Sequence, residues 1–322
     1  MSKLELNELE FYHSIWFTVL VVILLSVFVF PNQEFESLDW KIIKDNPIIN
    51  NSSTNLICFF LIATIGVSHG SLDNYKGKKL LRFYSLKNST IFYLSYIFIV
   101  VLIILLWKIF PTATLFIFLI IAAYHFGKED SLGKIGKSNF ELLYYFSRGS
   151  IIILAPLAFN ANETIEIFRI ISSAIFTDYF LILEEYYFFK LMLGLVILSS
   201  YLISEKESAS FYFEITSILA LNYFFNPFFA FTIYFCFLHS VRHIVSLSSE
   251  LDKENIKKGL NMFFNKALPL SLITAVLFII ALYLLLDLNQ LNEAIFKVIF
   301  IGLASLTFPH ILLEYLLEKN EK

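Results

Sequence analysis

Histidine is the residue that carries most of the chemistry in this sequence, and two histidines stand four residues apart in a strongly apolar stretch. The segment FLHSVRHIVSL holds His239, Arg242 and His243 and directly follows FFNPFFAFTIYFC. On a helix His239 and His243 lie on one face, whereas Arg242 points about 100° away. Burying imidazole and guanidinium groups in hydrocarbon is costly, so ionisable residues in such a stretch are interpreted as functional. We therefore expect these side chains to bind a ligand or an ion.

The composition is that of a protein that resides in a membrane. Of the 322 residues 58% are hydrophobic and only 16% are charged, and the mean hydropathy is +0.72. These values lie outside the range of soluble domains and are typical of polytopic membrane proteins. The net charge of -3 gives no reason to expect a nucleic acid partner.

Apolar segments of roughly 15 to 24 residues recur along the whole chain. We mark about ten, give or take two, at 14–30, 54–69, 88–108, 111–126, 141–159, 188–204, 210–226, 228–247, 268–286 and 294–317. The sequence therefore predicts an all-α fold, a polytopic membrane helical bundle of about 8–10 transmembrane helices. Because every loop is too short to build a soluble core, we expect a single integral membrane domain over residues 1–322. Residues 1–53 match no motif, and residues 160–187 predict an amphipathic segment at the membrane interface.

Lysine and arginine predict the orientation. If the N-terminus lies inside, the inner loops and the two chain ends hold about three times as many basic residues as the outer loops. The positive-inside rule favours this arrangement. We expect a multi-pass protein of the cell inner (plasma) membrane, surrounded by lipid bilayer, with a cytoplasmic N-terminus.

Five of the six histidines share a membrane depth in this topology. All five lie on even-numbered spans, which run from the outer to the inner side, and all fall in the inner half of the bilayer: His69, His125, His239, His243 and His310. Only His13 stands apart. Five independently placed histidines would seldom agree so well, so a common site is the better interpretation.

Several neutral imidazoles in a dry site most simply bind a first-row transition metal. Carboxylates flank two of the histidines: Asp73 lies four residues after His69, and Glu129 and Asp130 lie four and five residues after His125. Such carboxylates accept the other ring N–H of a ligand histidine and fix its tautomer. We expect Asp73 to orient His69 and Asp130 to orient His125. The alternative is that these are helix-end residues in the headgroup region.

Four motifs together carry a resemblance to a known family. The ordered set HGSLD, HFGKED, HSVRH and FPHILLEY resembles the Brp/Blh family of membrane-embedded β-carotene 15,15'-dioxygenases, over residues 55–317. The resemblance implies a bundle of membrane helices around a non-haem Fe(II) held by four histidines, here His69, His125, His239 and His243. It also implies cleavage of the central double bond of β-carotene by O2 into two molecules of all-trans-retinal. Microbial rhodopsins would then be the recipients of the retinal.

Two further residues take supporting roles once these four ligands are assigned. Pro309 kinks its helix, so the ring of His310 can turn toward the site. We expect His310 outside the ligand set, bonding a carboxylate or a bound water. Arg242 would be the counter-charge of Asp130, because an unpaired guanidinium at that depth is costly.

The substrate implied by the resemblance predicts a particular kind of binding site. A C40 hydrocarbon offers no hydrogen-bonding group, so we expect a long apolar tunnel with aromatic walls. The chain has 37 Phe and 17 Tyr, and the run FFNPFFAFTIYF leads directly to His239.

Three other functions remain open from the residues alone. A di-iron desaturase or hydroxylase needs more histidines, in several HxxxH and HxxHH boxes, than this chain has. A haem carrier would pair histidines across two helices, as His69, His125, His239 and His310 would allow. A transporter with a histidine proton relay is the non-enzymatic alternative. It is weakened because we expect no acidic residue at mid-membrane depth apart from those near the histidines.

Overall fold

The structure, a computed structural model, describes residues 3–29, 51–131, 140–172, 182–183, 187–203 and 209–321. These residues form helices and turns and no strand, so the predicted all-α bundle is confirmed. In chain order the helices are α1 (Lys3–Phe28), α2 (Ser52–Leu61), α3 (Asp73–Phe83), α4 (Thr90–Ile109), α5 (Pro111–Glu129), α6 (Glu141–Phe159), α7 (Ala161–Ile171), α8 (Phe188–Ile203), α9 (Ala209–Phe224), α10 (Pro227–Ile233), α11 (Val241–Leu251), α12 (Ile256–Leu286) and α13 (Leu291–Glu321). A π-helix (Ile62–Gly66) and a 3-10 helix (Val67–Leu72) join α2 to α3, and a second π-helix (Tyr234–Ser240) joins α10 to α11.

Eight helical segments of the described chain are long and apolar enough to cross a membrane, which makes this a multi-pass membrane protein. They are Phe11–Phe28, Ser52–Phe83, Thr90–Ile109, Pro111–Glu129, Glu141–Phe159, Pro227–Leu251, Ile256–Leu286 and Leu291–Glu321. The two other predicted spans correspond to α8 and α9, which have 16 residues each. The range predicted from the sequence therefore includes the observed number.

The predicted interfacial segment 160–187 begins with the short helix α7. Thr164, Ile165 and Phe168 are buried on one face of α7, whereas Glu163 and Glu166 are exposed on the other. This alternation is the pattern of an amphipathic helix. Most of the segment after α7 lies outside the described residues.

Helix α1 is an integral part of the bundle, although no motif marks it in the sequence. Ser14 donates a hydrogen bond to the Glu214 carboxylate at 2.6 Å, and Thr18 donates one to the carbonyl oxygen of Phe213 at 3.3 Å. His13 donates its Nε2–H to the carbonyl oxygen of Phe237 at 3.0 Å. These bonds attach α1 to α9 and to the second π-helix.

The two π-helices lie side by side. Ser240 donates a hydrogen bond to the carbonyl oxygen of Gly66 at 3.0 Å. Gly66 also faces the ring of Phe235, since a Cβ added there would lie 2.6 Å from a ring carbon. A π turn breaks the regular helical register, and such turns are frequent at functional sites. The first π-helix is followed by the 3-10 helix that contains His69, and the second π-helix contains His239.

Helices α5 and α6 pack in backbone contact through two glycines. A Cβ added at Gly127 would lie 1.8 Å from the carbonyl oxygen of Tyr145, and one at Gly149 would lie 1.8 Å from that of Ala123. Only hydrogen fits at either position, which lets the two backbones touch. Because Gly127 follows His125 by two residues, this contact fixes the position of His125 along the axis of α6.

We expect Gly149→Ala to lower the stability of the protein by about 1–3 kcal/mol, because the added methyl group must push α5 away from α6. The measurement is the apparent melting temperature of the purified protein in detergent. Gly194→Ala is the matched control, since no atom lies within 4 Å of a Cβ added there. Alanine is also the better helix former, so the control should melt at or above the wild-type temperature. Equal melting temperatures for Gly149→Ala and wild type would contradict the backbone contact.

Candidate metal centre

Four histidine rings from four helical segments meet in the interior of the bundle. His125 comes from α5, His239 from the second π-helix, His243 from α11 and His310 from α13, and all four are buried. The ring centroid of His125 lies 5.5 Å from that of His239 and 5.4 Å from that of His310. The centroids of His243 and His310 are 5.7 Å apart. Since ring nitrogens bind metals at about 2 Å, rings at these separations can share one ion.

Three of the four rings are held by a carboxylate from a different helical segment. A carboxylate only accepts hydrogen bonds, so the proton of each ring lies on Nδ1 and the lone pair lies on Nε2. This is how proteins fix the tautomer and orientation of a histidine that binds a metal. The pairs are His239 with Asp130 (3.0 Å), His243 with Glu129 (2.7 Å) and His310 with Asp73 (2.8 Å).

Two tyrosines hold the aspartates in turn, and the sequence analysis identified neither. Tyr234 donates its hydroxyl hydrogen to Asp130 Oδ2 at 2.6 Å, and Tyr96 donates to Asp73 Oδ2 at 2.8 Å. Each of these carboxylates therefore accepts from one tyrosine and one histidine. Tyr234 lies five residues before His239 in the same apolar run, a proximity that was available in the sequence.

The carboxylates pair with different histidines from those we expected. Asp130 bonds His239 and not His125, because five residues along a helix turn the chain by about 140°. Asp73 bonds His310, and whether it also bonds His69 stays a prediction because that side chain lies outside the described residues. The carboxylates thus connect separate parts of the chain rather than neighbours on one helix.

Arg242 finds its counter-charge in Glu214, and our expectation of a pair with the Asp130 carboxylate is wrong. Its Nη2 donates to Glu214 Oε1 at 2.7 Å, while its Nη1 donates to the backbone carbonyl oxygen of Asp130 at 2.9 Å. Arg148 forms an ion pair with the other oxygen of Glu214. Glu214 lies inside the predicted span 210–226 and reaches the histidine region through Arg242. Two buried guanidinium groups require such an anion.

His69 reaches the same region through its backbone. Gly66, three residues earlier, accepts the hydrogen bond from Ser240, and Asp73, four residues later, bonds His310. The 3-10 turn that contains His69 therefore lies between two contacts with the histidine-bearing helices. The side chain of His69 is outside the described part of the structure, so its role as a ligand stays a prediction.

His310 lies among the other rings and not behind them. Its ring contacts those of His125 and His243, and it is held by Asp73 in the same way as His239 is held by Asp130. A carboxylate does bond its Nδ1, as we expected, but the ring position makes His310 a candidate ligand. Glu314, one turn further along α13, also brings an oxygen within 4.8 Å of ring nitrogens of His243 and His310. Lys76 forms an ion pair with that carboxylate.

An apolar cavity opens onto the cluster at His125. Its walls come from α5, α6, α7, α9, α10, α13 and the second π-helix, with aromatic rings such as Phe118, Phe126, Phe231 and Phe235. About 1040 Å³ of empty space lies between these walls, its open part included. The described lining contains no lysine, arginine, aspartate or glutamate. Such an apolar lining suits a hydrocarbon ligand.

The donor set fits a divalent transition metal. Four imidazole rings lie in contact with one another, and three of them direct their protonated nitrogen to a carboxylate, so Nε2 is the nitrogen that could bind a metal. The three carboxylates add negative charge to a buried place, which a divalent cation offsets. His, Asp and Glu in this arrangement provide both the ligands and the residues that orient them.

Two comparisons show what this chain is similar to. The family model described as "Beta-carotene 15,15'-dioxygenase" matches residues 60–318. A protein named "Beta-carotene 15,15'-dioxygenase" from Uncultured marine bacterium 66A03 is 28% identical over 264 residues, which are 79% of this chain and 90% of that protein. No solved structure matches this chain.

We expect Glu214→Gln to destabilise the protein by about 3–5 kcal/mol, because it leaves two buried guanidinium groups without an anion. Thermal unfolding in detergent measures the loss. Glu321→Gln is the control, since it removes the partner of Lys79 from an ion pair with both side chains exposed, and it should cost about 0–1 kcal/mol. In the double variant Glu214→Gln, Arg242→Gln the loss should be smaller than the sum of the single losses. Strict additivity would show that Arg242 and Glu214 do not interact.

Proposed function

Since this chain belongs to the β-carotene 15,15'-dioxygenase family, we propose that its histidine cluster holds Fe(II). We further propose that the protein uses O2 to cleave the central double bond of β-carotene, which gives two molecules of all-trans-retinal. Family membership makes it a carotenoid-cleaving enzyme that forms retinal. The observation that supports the iron site is a set of three imidazoles, each held by a carboxylate, in which the rings of His239 and His310 contact His125 at an apolar cavity and the ring of His243 contacts His310.

The proposed ligands are His69, His125, His239 and His243, to which the ring contacts add His310. The centroid of His310 is as close to that of His125 as the centroid of His239 is, and its Nδ1 is held in the same manner. With His69 in its predicted role, five imidazoles would surround the ion. Metal content after single substitutions tests each of them.

Bound Fe(II) would supply a redox-active centre that keeps a coordination position open for O2. The residues of the chain orient the ligands and keep water away. Asp130, Glu129 and Asp73 hold the Nδ1–H of their histidines, so the rings cannot rotate away from the centre. Phe126 and Phe235 pack against the ring of His239 with centroid separations of 4.9 and 5.6 Å, which closes that side to solvent.

The cavity would take the carotene. Its aliphatic and aromatic lining offers no charged group, and it ends at His125, where the reacting double bond must lie. Aromatic faces such as those of Phe126 and Phe235 can also stabilise positive charge that develops on a polyene.

We further propose that the enzyme lies in the cell inner (plasma) membrane with a cytoplasmic N-terminus. The excess of basic residues on that side supports this orientation. Both β-carotene and retinal partition into lipid bilayer, so substrate and product would enter and leave laterally. A retinal-binding rhodopsin in the same membrane would be the recipient. The family match gives no support to the di-iron, haem and transport alternatives.

Single alanine substitutions of the clustered histidines should remove the iron and the activity. We expect His125→Ala, His239→Ala, His243→Ala and His310→Ala each to lose most of the bound iron and to abolish retinal formation, because a site with a missing imidazole is labile and wrongly shaped. Iron per purified protein and retinal extracted from a β-carotene-producing bacterium are the measurements. His13→Ala is the control, because His13 lies on α1 and, among the described residues, bonds only the backbone carbonyl oxygen of Phe237 in the second π-helix. This variant should keep both its iron and its activity.

Two further variants test the composition of the ligand set. We expect His69→Ala to lose iron, and wild-type iron content in that variant would remove His69 from the set. Loss of iron in Glu314→Gln, together with wild-type iron in His239→Ala, would indicate that the metal is held by two histidines and one carboxylate and not by the set of imidazoles.

Retinal formed under ¹⁸O2 should carry the label in its aldehyde group, and unlabelled retinal would contradict the use of O2.

A further inference from the structure

Tyr234 belongs both to the wall of the apolar cavity and to the hydrogen-bonded group behind that wall. Its side chain lines the cavity together with His125. Its hydroxyl donates to Asp130 Oδ2 at 2.6 Å, while His239 donates its Nδ1–H to the other oxygen of the same carboxylate at 3.0 Å. Tyr234, Asp130 and His239 are all buried, so water does not compete for these bonds.

The cavity exposes a ferrous site to O2. O2 is a small apolar molecule that dissolves in lipid, so it can enter an apolar cavity whether or not a carotene is bound. Because the cavity reaches His125, Fe(II) held there would meet O2 in the absence of substrate. One electron can then pass from Fe(II) to O2, which leaves Fe(III) and superoxide. A ferrous enzyme therefore benefits from residues that oppose this loss. This inference rests on the proposed function.

The carboxylate of Asp130 shares its negative charge between two donors. A carboxylate that accepts the Nδ1–H of a ligand histidine makes the imidazole more basic. A more basic imidazole stabilises Fe(III) relative to Fe(II), because it gives more electron density to the metal. The hydroxyl of Tyr234 draws part of the charge of Asp130 to Oδ2, and the bond between Oδ1 and His239 weakens accordingly. Such effects are larger in a buried place of low dielectric than in water.

The contacts around Tyr234 keep its hydroxyl directed at Asp130. Arg242 donates to the backbone carbonyl oxygen of Asp130 at 2.9 Å and so fixes the backbone that carries the carboxylate. The ring of Tyr234 packs against the rings of Phe126 and His239, with centroid separations of 5.7 and 6.2 Å. Donor and acceptor are therefore both held in place by neighbouring residues.

We propose that Tyr234 is a positioning residue that keeps the bound iron ferrous, by acting through Asp130 and His239. Second-shell hydrogen bonds of this kind are one of the means by which proteins adjust the reduction potential of a metal. Loss of the hydroxyl should lower the Fe(III)/Fe(II) potential and speed the oxidation of the resting enzyme. A merely structural role of Tyr234 would lower the stability of the variant and leave both quantities unchanged.

The test measures how fast O2 oxidises the full-length enzyme in detergent, loaded with Fe(II) in the absence of air and free of carotenoid. After mixing with air-saturated buffer, electron paramagnetic resonance follows the formation of high-spin Fe(III). We expect Tyr234→Phe to oxidise about 2- to 10-fold faster than the wild type, because one hydrogen bond to a charged group is lost. A redox titration should give this variant a lower Fe(III)/Fe(II) potential than the wild type.

Two further variants separate this effect from damage to the structure. Tyr234→3-fluorotyrosine keeps the ring and the bond, and its more acidic hydroxyl is a stronger donor, so this variant should oxidise more slowly than the wild type. Tyr145→Phe is the matched control, because Tyr145 donates to the carboxylate of Glu141 at 2.8 Å and no described hydrogen bond links Glu141 to a histidine. This control should oxidise at the wild-type rate.

The outcomes distinguish this inference from the proposed function. If the wild type binds iron and cleaves β-carotene, equal oxidation rates in the wild type and both Tyr234 variants overturn the inference alone. An increase in Tyr145→Phe as large as that in Tyr234→Phe also overturns it, because the effect would then not depend on Asp130. If Tyr234→Phe fails to fold, the rate of the fluorotyrosine variant decides. A wild-type protein that binds no Fe(II) overturns the proposed function and this inference with it.

Discussion

The hydrogen bond from a histidine Nδ1 to a carboxylate on another helical segment is the interaction on which the rest of this structure depends. Three such bonds cross between helical segments that are distant in sequence: α5 to the second π-helix, α5 to α11, and α3 to α13. A buried carboxylate without a donor, or an imidazole without an orienting partner, would be costly in an apolar bundle. The same bonds therefore hold the helices together and direct the Nε2 atoms inward. Fold and candidate metal centre are in this sense one set of contacts.

A second buried group of charged residues, centred on Glu214, packs next to the histidine–carboxylate pairs. Glu214 accepts from Arg148, Arg242 and Ser14, which belong to α6, α11 and α1. Arg242 also holds the backbone carbonyl of Asp130, the residue whose carboxylate orients His239. One anion between two cations in low dielectric stabilises only when its geometry is complete. This arrangement explains why the first helix, although it precedes the region matched by the family model, packs against the π-helix that carries His239.

The sequence was sufficient to predict those parts of the structure that follow from the hydropathy of the chain and from the spacing of its apolar segments. Hydropathy predicts the helices, and shared membrane depth predicts that His125, His239, His243 and His310 approach each other. The hydrogen-bond partners of the carboxylates and of Arg242 could not be predicted from the sequence. They depend on how each helix is rotated about its axis and on π turns, which hydrophobic periodicity does not show. We paired Asp130 with a histidine on its own helix, whereas it reaches across to His239. Glu214 could have been found by asking which anion two intramembrane arginines require.

X-ray absorption at the iron edge of the purified protein, reconstituted anaerobically with Fe(II), tests most directly whether the carboxylate-bound histidines hold a metal through Nε2. Imidazole rings that bind through one nitrogen give a characteristic multiple-scattering signal from their outer ring atoms. We expect a spectrum dominated by several imidazoles in the wild type and in Gly194→Ala, whereas His239→Ala should bind too little Fe(II) to give this signal. An iron environment of oxygen ligands without imidazole scattering, or failure of the folded protein to bind Fe(II), would contradict the proposed centre.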